Sequence, residues 1–400
     1  MIHFNQIDAN TFLTEYWQKK PLLIKQALPN FISPISPEEL AGLSLEEEVE
    51  SRIVIQQGEQ DYALRNGPFS EQDYAGLPEK NWTLLVQGMD RLIPEVQQLL
   101  NEFNFIPRWR IDDIMISYAT EGGNVGPHFD HYDVFLLQAA GSRKWMLSAQ
   151  DCELDNYLEN TPLRLMRKFE IEEEYTLEAG DILYLPPKWG HHGVALDDNC
   201  MTYSIGYRSY KGQELFDSFG DYLSENNLFN QMYQDPSWQN TQTGEINNQA
   251  WLNAKQLILS ALNDDQAIQH WFGRFATQLD QNAHNALPEP LNEDEAADLD
   301  TFINALKQVD YLERDPVCRF AFQRINDGCV LYINGFEWPT DGLADGVIMQ
   351  VANQDRIHAD TLQRWSKQRV VAEWLYQLWL RQFIVLPEDE EQAECFDGEA

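Results

Sequence analysis

The spacing of apolar positions changes character along the chain, and each change marks a region. Within residues 1–210 the apolar positions fall into short runs. Ile182-Leu183-Tyr184-Leu185 is a continuous apolar stretch closed by Pro186-Pro187, the pattern of a buried strand. Met201-Thr202-Tyr203-Ser204-Ile205-Gly206-Tyr207 alternates with period two, as a barrel strand does. From about Lys211 the period lengthens, and Glu214 to Leu223 spaces its apolar residues for a helix. An Asn/Gln-rich stretch near 226–250 separates it from further helical segments reaching about 280. Leu287-Pro288-Glu289-Pro290-Leu291-Asn292-Glu293-Asp294-Glu295 reads as a linker. Beyond it, Asp327-Gly328 and Asn334-Gly335 mark tight turns between short apolar strands, the second a strong hairpin signal. Val371, Trp374, Leu375 and Leu378, at i, i+3, i+4 and i+7, line one face of a last helix.

These patterns predict an α+β chain. Residues 1–210 form an N-terminal segment plus a β-rich domain with its core at about 95–210. Residues 211–286 form a helical region, and residues 296–388 combine helices with a β-hairpin, which suggests a winged-helix domain. An acidic tail covers 389–400.

Length and composition narrow the function. Four hundred residues with 43% hydrophobic content suffice for two or three domains with cores of their own. With 28 Lys+Arg against 65 Asp+Glu the formal charge is −37, which repels nucleic acid and anionic membrane and attracts a basic polypeptide. Pro387-Glu388-Asp389-Glu390-Glu391 is a poor surface for phosphates, so the winged helix is read as a protein-interaction or structural module rather than a DNA reader. Cys152, Cys200, Cys318, Cys329 and Cys395 are odd in number, scattered and free of CxxC spacing, against a disulfide framework or a zinc finger. The first residues lack a basic segment followed by an apolar run, and no later stretch reaches membrane-spanning length. A reducing cytoplasm is the expected compartment.

Candidate chemistry is concentrated in Gly126-Pro127-His128-Phe129-Asp130 and, sixty residues on, Gly180-Asp181-Ile182-Leu183-Tyr184-Leu185-Pro186-Pro187-Lys188-Trp189-Gly190-His191. Residues i and i+2 of a strand share a face, so His128 and Asp130 can grip one ion while Phe129 packs behind. His191, just past the double proline, supplies a third ligand. Two His and one carboxylate make the facial triad of non-haem Fe(II) oxygenases. HxD also occurs at His131/Asp133 and His358/Asp360. The 131/133 pair has the opposite strand parity and belongs to a polar outer face or a substrate-side wall. Asp360 precedes a helix and reads as its N-cap. His192, directly after His191, is a second candidate for the third ligand; spacing favours His191 and leaves His192 at the rim.

The pattern GPHFDHYDVFLLQAAGSRKW, then GDILYLPPKWGHHG, then TYSIGYR resembles the JmjC-domain ribosomal oxygenases, and most of all their bacterial branch, which hydroxylates an arginine of a large-subunit ribosomal protein. Phe12 to Lys25, Trp109 to Ser117 and the C-terminal third resemble the corresponding parts of those enzymes, so the likeness spans nearly the whole chain. It implies a double-stranded β-helix (the cupin/JmjC jelly roll), a helical region that makes a homodimer, and a C-terminal winged helix. It implies Fe(II) held by His128, Asp130 and His191, with 2-oxoglutarate and O2 as cosubstrates. Arg143 matches the basic residue that holds the far carboxylate of 2-oxoglutarate, a role suited to a guanidinium fork on a rigid strand. Ser117, Thr202 and Ser204 would line the same cavity. The implied partner is a basic ribosomal protein, L-sixteen of the large subunit, and Asp112, Asp113 and Asp133 are candidates to meet its arginine.

Besides a JmjC oxygenase with a different target residue, since relatives of similar architecture act on histidine or on methylated lysine, two other readings stay open on the residues alone. One is a different metal-dependent cupin enzyme, such as a small-molecule dioxygenase or isomerase, which would have no need of a buried cation at Arg143. The other is an inert barrel serving as a scaffold, against which the intact His128, Asp130 and His191 argue.

Overall fold

The computed structural model describes residues 2–387 apart from 6, 293, 294, 326 and 327. The expected acidic tail at 389–400, Cys395 and Asp327 of the Asp327-Gly328 turn lie outside the described residues. The chain divides into two compact units, Met1–Ser209 and Tyr210 onward.

The first unit is built on two antiparallel sheets. The larger runs in the order Leu22–Ile24, Ile182–Leu185, Val134–Ala140, Cys200–Tyr207, Ile111–Ala119, Trp82–Val86, Ser51–Gln56, Tyr62–Asn66. The smaller runs His128–Phe129, Gly190–Ala195, Ser142–Ser148, Glu173–Glu178. Alternation decides what each face does. On one face of the large sheet Ile114, Ile116, Phe135, Leu137, Ile182, Tyr184, Tyr203 and Ile205 join Phe12, Leu40 and Phe103 from the flanking helical segments in the main apolar core. On the other, Val134, Leu136, Leu183 and Leu185 meet Trp145, Leu147 and Leu177 of the small sheet, filling one end of a double-stranded β-helix. The apolar run 182–185 is buried at every position, as a strand covered on both faces must be.

In the second unit, helix Gly212–Glu225 packs Phe219 and Leu223 against Trp271 and Phe275 of helix Asp265–Ala276. A separate core gathers Phe302, Leu331, Ile348, Leu362, Leu375 and Leu378 beneath the three-stranded sheet Phe320–Ile325, Gly328–Ile333, Phe336–Trp338. Asn334 and Gly335 form the two-residue turn of its hairpin with φ of 51° and 87°, the mirror-image turn that Asn-Gly favours. The apolar stripe of helix Arg369–Leu380 is buried at Val371, Trp374, Leu375 and Leu378. One local expectation is corrected. The N-cap of helix Ala359–Trp365 is His358, extended at φ −78° and ψ 159°, and Asp360 lies in the first turn, because the chain is already helical at Ala359. No helix among the described residues is long and apolar enough to cross a membrane.

Candidate active site

His128 and His191 face one another across two paired strands. The strand His128–Phe129 is only two residues long, and its register with Gly190–Ala195 sets His191 opposite His128 and Gly190 opposite Phe129. Directly paired residues share a face, so the two imidazoles meet with ring centroids 4.2 Å apart. Asp130 lies just past the strand end, with its Oδ2 3.6 Å from His191 Nε2. One ligand atom from each of the three lies within 4.8 Å of the others, and among the described residues this is the cluster able to hold a metal ion. Phe129 packs the opposite way, stacked on Tyr157 at 5.2 Å and buried with Cys152 and Met166.

The tautomers suit a metal. His128 Nδ1 donates to the Gly126 carbonyl at 3.0 Å, and His191 Nδ1 donates to the Trp189 carbonyl at 2.9 Å. Each ring thus carries a proton on Nδ1 and turns Nε2 toward the cluster, the arrangement that orients ligating histidines. Burial, and then the neighbouring His128, push the His191 value down to about 4, so it is neutral near pH 7. The turn carrying His191 is tied back to Asp130, whose carbonyl accepts from Lys188 N at 2.7 Å. One carboxyl oxygen and two imidazole nitrogens are a donor set that fits Fe(II) or another first-row divalent ion.

Register also connects this cluster to Arg143. On the small sheet Leu147 pairs with His191, Trp145 with Gly193 and Arg143 with Ala195. All six lie on one face, which places Arg143 four residues, about 13 Å, along the strand from the level of the histidines. Gly193 makes room for the indole: a Cβ there would lie 2.7 Å from the Trp145 ring. Arg143 is 3% exposed, its Nε donates to Cys200 Sγ at 3.3 Å, and its Nη2 has no partner. Trp145 Nε1 is likewise buried without a partner. Two orphaned donors on the histidine-bearing face are costly unless a ligand such as a carboxylate completes them. Lys144 points the other way, paired with Glu174 at 2.9 Å.

The large sheet supplies the facing wall. Thr202 pairs with Ser117 on one side and Gln138 on the other. Ser117 Oγ donates to the Thr202 carbonyl at 3.4 Å, and Thr202 Oγ1 donates to Gln138 Oε1 at 3.2 Å. Ser204 is half-buried two residues along on the same face. Gln138 Nε2 reaches Cys200 Sγ at 3.4 Å, so one thiol receives both this amide and Arg143. Sequence reasoning missed Gln138, Cys200 and Trp145; strand parity would have flagged them once the pairing register was known.

The three acidic candidates separate clearly. Asp133 is fully buried and engaged on the outer face of the large sheet, accepting from the Tyr184 hydroxyl at 2.6 Å and Gln18 Nε2 at 3.1 Å. Asp112 is exposed and paired with Arg208 at 3.2 Å. Asp113 has the parity of Ser117 and sits beside Gly206, on the face that carries Ser204. Its Oδ2 accepts from Gly88 N at 3.0 Å and Gln87 Nε2 at 2.9 Å, yet burial, then Asp90 and Asp112, push it up to about 7. Tyr132 is 43% exposed overall, yet its hydroxyl end is desolvated, and that, followed by the charges of Asp130 and Asp113, holds the phenol well above its usual range. His192 faces away from the triad, with Nε2 3.2 Å from Asn124 Oδ1.

Comparison with known proteins agrees with this geometry. A JmjC-domain family model matches residues 98–215, and a ROXA-like winged-helix model matches 260–384. The chain is 38% identical over 325 residues to the ribosomal protein uL16 3-hydroxylase of Escherichia coli K12, covering 81% of this chain and 83% of that protein. It belongs to the JmjC-domain ribosomal oxygenases. Solved structures of the Escherichia coli ribosomal oxygenase YcfD superpose along nearly its whole length. One gives a TM-score of 0.84 at 32% identity, covering 97% of this chain and 100% of that one. Another, in complex with cobalt and 2-oxoglutarate, gives 0.81 at 32% identity, covering 96% and 99%.

Proposed function

We propose that this ribosomal oxygenase is an Fe(II)- and 2-oxoglutarate-dependent hydroxylase acting on an arginine of the large-subunit ribosomal protein uL16. The observation that carries the reading is the convergence of His128, Asp130 and His191 on one ion-sized point, with the orphaned Arg143 guanidinium on the same sheet face. The uL16 3-hydroxylase name of the Escherichia coli relative and the cobalt and 2-oxoglutarate held by YcfD support it. Iron bound there would supply the coupling of O2 and 2-oxoglutarate to substrate hydroxylation, with succinate and CO2 as by-products.

This chain's residues do the rest. His128, Asp130 and His191 hold the metal, their geometry fixed by the two Nδ1 hydrogen bonds. Arg143 holds the far carboxylate of 2-oxoglutarate, itself steadied by Cys200, while Ser117, Thr202 and Ser204 form the polar wall opposite. Val134, Leu136, Leu183 and Leu185 exclude water from that end of the barrel. Asp113, whose charge reaches the Tyr132 hydroxyl, is suited to a substrate guanidinium, which would draw the carboxyl into its charged form and pair with it.

The charge of −37 favours a basic substrate over nucleic acid, and a ribosomal partner supports a cytoplasmic location. Trp251, Ile258 and Leu262 are exposed on one face of helix Asn248–Leu262, which supports a homodimer formed through residues 211–286. The winged helix over 296–388 then serves as an interaction or structural module.

In the test, wild-type protein releases succinate from 2-oxoglutarate faster when uL16 is added. Arg143→Ala raises the KM for 2-oxoglutarate about 10- to 100-fold, as loss of charge-assisted hydrogen bonds worth about 1.5–3 kcal/mol requires, and leaves Co(II) binding intact. An Arg143→Ala enzyme with unchanged KM contradicts the cosubstrate assignment.

A further inference from the structure

The loop that leads into His128 is organised around one buried side chain outside the metal cluster. Asn124 is 1% exposed, and its Oδ1 accepts from three donors: Tyr62 Oη at 2.9 Å, Gly126 N at 2.9 Å and His192 Nε2 at 3.2 Å. Its Nδ2 donates to Gln56 Oε1 at 2.7 Å and to the Gly122 carbonyl at 2.9 Å. The amide is saturated at both ends, which fixes its orientation and requires the Nε2–H tautomer of His192. Burial pushes the Tyr62 phenol up to about 12, so it remains a donor throughout the neutral range.

Two of these bonds lead to the two histidines. Gly126, whose N–H Asn124 holds, is the residue whose carbonyl receives His128 Nδ1–H at 3.0 Å. Gly126 itself has φ of +78°, and a Cβ there would lie 2.5 Å from Leu165, so this turn has little freedom to find another route. His192 is the strand neighbour of His191, so its bond to Asn124 fixes the strand that carries His191 relative to the loop that carries His128. The direct pairing of the two histidine strands is only two residues long, and backbone bonds from Lys188 to Asp130 and between Ala195 and Gly122-Gly123 flank it without reaching either imidazole.

We infer that Asn124 is a positioning residue, which sets the mutual placement of His128 and His191 through the three hydrogen bonds on its side-chain oxygen. The inference rests on the metal-centre reading above. Groups that orient ligating side chains tune metal affinity about 10- to 100-fold without touching the ion, and Asn124 acts one bond further out, by holding the residue whose carbonyl orients His128. Asn124 differs from an ordinary loop-stabilising residue in that its effect reaches the ion's ligand field.

The test is a titration of the full-length, metal-free chain with Co(II) alone, followed by its visible absorption bands, for wild type, Asn124→Leu, His192→Leu and His192→Gln. Asn124→Leu is expected to raise the Co(II) Kd about 10- to 100-fold and to shift or weaken the bands in protein that is still folded. His192→Leu weakens binding at the lower end of that range, and His192→Gln, whose amide can donate to the same oxygen, restores it. Wild-type Kd and bands in Asn124→Leu overturn the inference, as does equal behaviour of His192→Leu and His192→Gln. If Asn124→Leu does not fold, the His192 pair decides. A wild-type chain that binds no Co(II) overturns the metal-centre reading itself, which separates the two failures.

Discussion

Asp113 links the stability of the barrel to the reading of its substrate. Folding raises its value from 3.8 to about 7, burial first and the neighbouring Asp90 and Asp112 after it. A carboxyl shifted this way holds its proton in the native state, so its contribution to stability is fully present below about pH 4 and is lost as pH rises through about 7. Asp113→Asn removes that loss, because an amide oxygen can still accept from Gly88 and Gln87. Thermal unfolding of the metal-free protein should show a smaller fall between pH 4 and 8 for the variant, and a higher midpoint than wild type at pH 8. Parallel profiles would show that Asp113 is ionised at no such cost. The same variant should raise the KM for uL16 while sparing that for 2-oxoglutarate. At this scale local spacing pointed to His128, Asp130 and His191 as candidates, and the family resemblance pointed to Arg143. It left Asp112, Asp113 and Asp133 equivalent, and parity plus burial separated them. Gln138, Cys200 and Asn124 were silent because their roles depend on partners 57 to 68 residues away, as in the Arg143–Cys200 and Asn124–His192 contacts.

Elements were most legible where the apolar pattern and the turn chemistry agreed. The run Ile182–Leu185, the alternating strand Cys200–Tyr207, the Asn334-Gly335 turn and the stripe on Arg369–Leu380 are present in the structure. The strand His128–Phe129 has no period to read at two residues, and only its pairing with Gly190–Ala195 defines it. That second strand depends on Gly193, whose missing side chain is filled by the Trp145 indole. Gly193→Ala should therefore cost about 1–3 kcal/mol, the usual range for overpacking a well-filled site, and should also weaken 2-oxoglutarate binding because Arg143 is two residues from Trp145 on the same strand. Urea unfolding and a 2-oxoglutarate titration measure the two effects. A variant as stable and as tightly binding as wild type would mean that the indole has other room.

Across the whole molecule, charge bears on the substrate and exposed apolar surface on the proposed self-association. The excess of 65 acidic over 28 basic residues gives long-range attraction for a basic ribosomal protein, a term that sequence alone supplies. Self-association is less legible there, since an amphipathic helix looks the same whether its apolar face meets its own chain or a second copy. In the structure Trp251 is 51% and Ile258 47% exposed, large apolar side chains left at the surface of one helix. Trp251→Glu with Ile258→Glu should convert a dimer to a monomer by light scattering, without loss of helical content. An unchanged mass would contradict the proposed dimer through this face.

The central claim is tested most directly by mass spectrometry of uL16 after incubation with the full-length protein, Fe(II), 2-oxoglutarate and air. A single added oxygen on one arginine, absent with His128→Ala or without 2-oxoglutarate, is the predicted result. An unmodified uL16, recovered from a reaction in which the protein has bound metal and turned 2-oxoglutarate into succinate, would contradict the assigned substrate.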